Sequence, residues 1–432
     1  MSEINKIGKY RWTVCALIFF ATTVNYLDRQ VIGILKPLLE SDLNIGEAAY
    51  GYIVTTFQLF YAFGMIVAGR LIDKFGTKIG YGISVLLWSF AAMGHAFAKG
   101  VIGFGFWRGL LGVAESGNFP AAIKTVAEWF PKRERAFATG IFNSGTNVGA
   151  IVAPLAVPAI ATAWGWQAAF IITGAIGFIW IILWFIFYEI PEKQRRLSAG
   201  ELEFIKSDTD EAEESVKPIP WLKLLKFRQT WIFFIGKAMT DPIWWFYLFW
   251  IPGWLSEVRG AGLNIRSFGL PLVVIYSSTT VGSIFGGWLS SFMIKKGISP
   301  FNARKYTMLI FALLVIPVFF AQSQGISTWG AIAIISLAAS SHQAWSANIF
   351  TTVSDAFPKR AVSSVIGIGG MAGALGGAFV SILAGNLLAF YKKAGHVETG
   401  YTVMFTIAAC AYILAWIIMS VFAPKNKKVV ID

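Results

Sequence analysis

The sequence predicts an all-α polytopic membrane protein of twelve transmembrane helices, arranged as two six-helix parallel repeats. Three observations predict it. Hydrophobic residues make up 56% of the 432 residues and charged residues only 14%, against about 25% charged in a water-soluble domain. The charges gather in short clusters between apolar runs of roughly 20 residues, the length that spans a bilayer. One stretch of the first half recurs at a fixed offset in the second.

The apolar runs place spans at 11–36, 48–72, 80–98, 101–124, 137–160, 167–188, 229–256, 269–294, 305–322, 327–353, 362–390 and 399–423. No small-residue cleavage site follows the first run, so it is expected to stay as a membrane anchor. The net charge of +13 does not point to nucleic acid, because a binding surface needs Lys and Arg gathered on one folded face. Taking both chain ends as cytoplasmic, 27 of the 36 Lys and Arg fall on cytoplasmic segments and helix ends, six on the opposite side and three within spans. That asymmetry is the positive-inside pattern and sets the expected orientation. Cys15 and Cys410 fall inside spans and read as small apolar residues. No metal or cofactor framework is expected.

The polar stretch from Glu189 to Arg228 divides the chain into an N-terminal half (1–188), a cytoplasmic linker (189–228) and a C-terminal half (229–432). Its acids, Glu201, Glu203, Asp208, Asp210, Glu211, Glu213 and Glu214, read as a solvated surface. At an offset of 227, Phe130-Pro131-Lys132-Arg133 returns as Phe357-Pro358-Lys359-Arg360, Gly140-Ile141 as Gly367-Ile368 and Gly149 as Gly376. Parallel six-helix halves place a ligand site near the midplane between them, worked by rocking one half against the other.

Charges inside spans are costly and tend to be retained for function. Asp28 and Arg29 lie about seventeen residues into the first span, and being adjacent they cannot share a face. Arg108 and Glu115 are seven apart on the fourth span, on one face but about 10.5 Å apart, too far to neutralise each other. Each needs a partner, and the first span offers one acid and one base. A network across helices is expected, with a purely structural staple as the plainer reading. Lys237 and Asp241, four apart, can pair within the seventh span, with Lys237 alternatively reaching the interface. The repeat offset carries Glu115 onto His342, beside Gln343. These four are candidate polar-gate or ligand-contact residues.

Asn25, Tyr26, Tyr61, Asn147, Trp244, Trp245, Tyr276, Trp345 and Asn348 cluster at comparable depths. Ring faces cover sugar C–H surface while hydroxyls and amides read hydroxyl groups, although ordinary helix packing uses the same residues.

Two motifs carry a resemblance. Gly69-Arg70-Leu71-Ile72-Asp73-Lys74-Phe75-Gly76-Thr77-Lys78 matches the GxxxDKxGxK loop of the major facilitator superfamily, with Gly69, Asp73, Lys74, Gly76 and Lys78 at its marked positions. In the second half, Gly287 to Lys296 keeps the basic residues but has Ser291 in place of the acid, so a latch is expected in one half only. Asn25-Tyr26-Leu27-Asp28-Arg29 and Arg108-Gly109-Leu110-Leu111-Gly112-Val113-Ala114-Glu115-Ser116-Gly117-Asn118-Phe119-Pro120 resemble the anion:cation symporter family within that superfamily. The stretch Lys237 to Trp250 is similar to the seventh span of its bacterial hexuronate transporters.

The resemblance implies the major facilitator fold and a proton-coupled symporter importing sugar acids, hexuronates such as galacturonate and glucuronate first. An aldonate or another organic anion is the alternative. It implies proton coupling at Asp28 and Glu115, an anion served by Arg29 and Arg108, and Tyr26 and Tyr61 near the substrate. A guanidinium can clamp a carboxylate with two parallel hydrogen bonds. Burial favours the neutral form of an acid, so the two carboxyls can accept protons and free an arginine. The expected partners are the organic anion, protons and the lipid bilayer, not nucleic acid. The expected setting is a monomer in a bacterial inner membrane. Nothing in the spans has the spacing of an enzyme's catalytic cluster.

Overall fold

Every apolar run read from the sequence is helical in the computed structural model, which describes residues 8–207, 221–262, 265–323, 325–357 and 359–422. The helices of the first part are α1 (Tyr10–Leu43), α2 (Glu47–Phe75), α3 (Thr77–Gly94), α4 (Val101–Glu115), α5 (Asn118–Trp129), α6 (Lys132–Trp164) and α7 (Trp166–Phe187). Two short helices, α8 (Ala199–Lys206) and α9 (Trp221–Leu224), precede α10 (Arg228–Glu257), α11 (Leu270–Lys295), α12 (Pro300–Val315), α13 (Thr328–Ala356), α14 (Lys359–Lys393) and α15 (Val397–Phe422). Among the described residues there is no strand. Among the described residues, seven helical segments are long and apolar enough to cross a membrane by length and composition. The helices that carry in-span charges, α1, α4 and α10, are not among them.

The fourth span, expected as one helix, is two. Pro120 has no N–H to offer the Ser116 carbonyl, so the α-helical ladder stops there. The Ser116 hydroxyl turns back onto the Val113 carbonyl at 2.6 Å, and α5 begins at Asn118.

The chain packs as two compact units. One gathers Met1–Val31, Phe60–Ala153 and Ile160–Val216; the other gathers Ile32–Leu59, Pro154–Ala159 and Lys217–Asp432. In the first, α3 lies along α4 and α7; in the second, α10 lies along α14 and α11 along α13. Because the second unit includes residues 32–59, the far ends of α1 and α2 pack against α10 and α14 inside it.

The repeated glycines mark close helix approach. A Cβ at Gly149 on α6 would meet the Thr23 carbonyl of α1 and lie 2.9 Å from Tyr26 Cβ; at Gly376 on α14 it would meet the Ala238 carbonyl of α10 and lie 2.8 Å from Pro242 Cγ. Backbone cannot yield as a side-chain tip does. Gly149→Leu and Gly376→Leu are each expected to destabilise by about 1–3 kcal/mol or more through overpacking. Thermal melts of the purified variants in detergent check this, and an unchanged melting temperature would remove the close approach as the reason for glycine.

Part of the linker read as solvated is docked. Ser198 caps α8 by accepting from the Glu201 N–H at 3.2 Å, the start of an S-x-x-E capping box. The Glu201 carboxylate, however, reaches across to α1. It accepts from the Tyr10 and Arg11 N–H groups at 3.0 and 3.1 Å and from Arg11 Nη1 at 3.0 Å, and the residue is 1% exposed. Arg11 also donates from Nε to Glu134 at 2.8 Å. A sequence-local rule assigns Glu201 to its own helix, whereas packing gives it a buried cation. Asp208, Asp210, Glu211, Glu213 and Glu214 lie outside the described residues.

Candidate functional site: a caged arginine and an aromatic wall

In the first unit, α1 presents Asn25, Tyr26, Asp28 and Arg29, α2 presents Tyr61, and α4 presents Arg108 and Glu115 two turns apart. Arg29 is 2% exposed and Glu115 and Arg108 are fully buried. The Arg29 guanidinium donates from Nε and Nη2 to the same Glu115 oxygen at 3.0 and 2.8 Å, and from Nη2 to Asn25 Oδ1 at 3.3 Å. It lies over the rings of Tyr26 and Tyr61 at 4.8 and 4.9 Å, where the quadrupole of each face adds to the ion pair. Arg108 donates from Nη2 to the Arg29 carbonyl at 3.2 Å, so the second guanidinium braces the helix that carries the first.

Asp28, on the neighbouring face of α1, is buried, and neither of its oxygens has a hydrogen-bond partner among the described residues. The polar groups acting on it are Glu115, Thr173 and Arg108. The expected ion pair across helices is present: the acid of α4 takes the base of α1. The remaining Glu115 oxygen also finds no partner among the described residues. Such a set can hold a proton on either carboxyl. It can also release a planar, two-pronged cation when Glu115 is neutral.

In the second unit, Trp244 of α10 stacks on His342 of α13 at 5.3 Å with planes 2° apart, and Tyr276 of α11 meets Trp244 edge-on at 6.3 Å. His342 Nδ1 lies 2.7 Å from the Tyr412 hydroxyl, and Trp345 meets the Tyr412 ring edge-on at 5.6 Å. The Trp345 indole N–H and the Tyr276 hydroxyl are buried without a hydrogen-bond partner among the described residues. Trp245 instead stacks on Phe249 at 5.8 Å. Asn348 spends both amide hydrogens on the Gly286 and Ala344 carbonyls at 3.0 and 2.9 Å, joining α13 to α11. Gln343 is half-buried on α13. Lys237 and Asp241 pair at 2.7 Å, and Lys237, buried, covers Phe350 at 4.3 Å rather than reaching out of the span.

Around the loop motif, Lys78 Nζ contacts Glu189 at 2.7 Å and the Thr77 hydroxyl donates to Glu128 at 2.7 Å. The Lys78 ammonium, hydrogen-bonded to it, holds Glu189 below the usual carboxylate range. Lys74 lies over its neighbour Phe75 at 5.5 Å, and Gly76 takes a φ of 79° at the corner between α2 and α3, a backbone that favours glycine. The side chain of Asp73, and Gly69 as a packing position, lie outside the described residues. In the second unit Arg304 reaches Ser290 and lies 3.5 Å from Asp355.

Sequence reasoning missed three features. His95 is buried, its Nδ1 2.7 Å from the Ala91 carbonyl, stacked on Phe170 at 5.0 Å. Thr173 faces Asp28 from α7. Lys36 contacts both Glu47 and Glu257. A Lys closing an apolar run was the one signal for the third; the first two carry none.

The sequence model of the Major Facilitator Superfamily matches residues 18–381. The chain belongs to the major facilitator superfamily. This major facilitator protein is 32% identical over 390 residues to a hexuronate transporter of Escherichia coli K12, covering 89% of each chain. It is 32% identical to a galacturonate transporter of Dickeya chrysanthemi, over 72% of this chain and 90% of that one. A D-galactonate transporter of Escherichia coli O6:H1 is 28% identical over 89% of this chain and 91% of that one. Among solved structures it resembles a D-xylose-proton symporter with a TM-score of 0.74 at 18% identity, covering 98% and 100% of the two chains. Its fold is therefore the all-α membrane fold of that superfamily, and its relatives are transporters rather than enzymes.

Proposed function

We propose that this protein is a proton-coupled symporter importing sugar acids, hexuronates first, by alternating access in a bacterial inner membrane, with both termini cytoplasmic. The observation that carries the reading is the Arg29–Glu115 pair at 2.8 Å, buried and caged by two tyrosine rings beside Arg108 and a buried Asp28. Protonation of Glu115 removes the charge that holds Arg29. The released guanidinium then clamps the substrate carboxylate with two parallel hydrogen bonds, and Arg108 adds a second cation. Asp28 takes a further proton. Within the second unit, Tyr276 and Trp345 carry buried donors with no hydrogen-bond partner among the described residues, and ring faces with such donors suit a hydroxylated ligand. Each pH unit supplies ~1.4 kcal/mol per proton, and each net charge moved gains ~2.3 kcal/mol per 100 mV.

Likeness to transporters of hexuronate and galacturonate supports the uronate assignment. Likeness to a D-galactonate transporter over a similar share of the chain keeps an aldonate as the second reading. A thermal-shift screen against uronic, aldonic and aldaric acids separates them, because a ligand that binds the folded state raises its melting temperature. Galacturonate is expected to compete at least tenfold better than galactose, more than ~1.4 kcal/mol, since a clamp without its carboxylate strands a buried charge. Equal competition in an uptake assay would remove the anion assignment.

A further inference from the structure

The far end of the second unit holds a charge cluster that the coupling reading above leaves unused. Lys36 of α1 contacts Glu47 at the start of α2 and lies 2.6 Å from Glu257 at the end of α10. Lys392 near the end of α14 contacts Glu40 of α1 and lies 3.5 Å from Glu257 and 3.9 Å from Glu47. Glu47 and Lys36 are buried, at 2% and 1% exposure. The same helix ends are joined by the Tyr50 hydroxyl donating to the Phe249 carbonyl at 3.0 Å. A Cβ at Gly51 would lie 2.7 Å from the Ser381 carbonyl of α14. Opening this end means pulling α1 and α2 off α10 and α14.

The charges do not balance. Glu40, Glu47 and Glu257 bring three negative charges and Lys36 and Lys392 two positive ones. Two further groups face the cluster, Tyr50 of α2, whose ring lies 5.8 Å from Lys36 Nζ, and Tyr401 of α15, and neither is a cation. The three carboxyls approach within 4.8 Å of one another. Glu47 Oε2 and Glu257 Oε2 are buried with no hydrogen-bond partner among the described residues, and so is the hydroxyl of fully buried Tyr401. That hydroxyl is aimed into the cluster: a Cβ on Gly253 would sit 3.2 Å from it and 2.8 Å from Lys36 Nζ. Three carboxylates sharing two ammoniums at a largely buried site cannot all stay ionised cheaply, and a single proton held between Glu47 and Glu257 removes the excess charge.

We propose that Glu47 and Glu257 hold one proton between them while this end is closed, a proton site separate from Asp28 and Glu115 that is emptied when the end opens. With both termini cytoplasmic this is the outer end, so the proton exchanges with the outside. The closed state then binds one proton more than the open state. Rising pH favours opening, by at most tenfold in the open-to-closed ratio per pH unit for one proton. The inference rests on alternating access but not on the substrate, and its test needs none, so its failure is distinct from failure of the sugar-acid reading.

Spin labels on Ser41→Cys and Ala394→Cys, both exposed, in a Cys410→Ala chain would report the distance between the outer ends of α1 and α14 in liposomes. The longer distance is expected to grow with pH. Glu47→Gln and Glu257→Gln, each imitating the protonated member, are each expected to cut the slope by one proton's worth, up to tenfold per pH unit. The wild-type slope needs no variant to fold, and melting temperatures show whether each variant has. No pH dependence in the wild type overturns the site, as does an unchanged slope in either folded variant. A ratio that follows sodium replaced by choline at fixed pH assigns the cluster to a metal cation and overturns the proton.

Discussion

Glu115→Gln is expected to abolish substrate accumulation driven by a pH gradient while leaving exchange of labelled for unlabelled substrate across the same vesicles. The amide keeps the shape of the protonated acid and cannot release its proton. Exchange needs only the loaded carrier to reorient. Accumulation needs the empty carrier to return unprotonated, with Arg29 re-paired to a charged Glu115 across 2.8 Å. The gradient is worth about tenfold accumulation per pH unit and proton, so the variant's ratio should fall toward one. If the pair were only a staple, its loss would strand Arg29, cost about 3–5 kcal/mol and lower both rates together. The two tyrosine faces on Arg29 are expected to keep the stability loss below that. Both rates and a melting curve from one preparation decide: normal accumulation removes Glu115 from the proton path, and parallel loss with poor stability favours the staple.

Arg108→Lys is expected to weaken sugar-acid binding by a hundredfold or more, about 3 kcal/mol. The guanidinium holds the Arg29 carbonyl from Nη2 at 3.2 Å and is a planar fork of several N–H donors. A lysine ammonium is a single point and cannot brace α1 and present a planar fork together. Loss of either task reaches the substrate, the first by letting Arg29 shift. Titration calorimetry with galacturonate checks this, and unchanged affinity would take Arg108 out of the clamp.

Much of the arrangement was legible in the residues. The adjacency of Asp28 and Arg29 forces them onto different faces, and the seven-residue spacing of Arg108 and Glu115 keeps them on one face without contact. From those two facts an ion pair between α1 and α4 followed, and Arg29 and Glu115 form it. The four-residue spacing of Lys237 and Asp241 foretold their pair in the same way. The repeated Gly149 and Gly376 turned out to be matching points of helix contact. Asn348 shows the limit, since a polar residue in a span reads alike whether it greets a ligand or, as here, spends its donors on neighbouring carbonyls.

By itself the sequence determined that this is a membrane bundle, where its apolar runs and its repeat lie and which buried charges need partners. Those are local properties, set by bilayer thickness, helical periodicity and the cost of an unpaired charge. Only the tertiary structure decided that Glu201 leaves its linker for Arg11, 190 residues away, and that Lys36 meets Glu257 across 221 residues. Such partners depend on how each helix is rotated and how far its end reaches. Those are settled by the summed packing of whole helix faces, which no window of neighbouring residues contains.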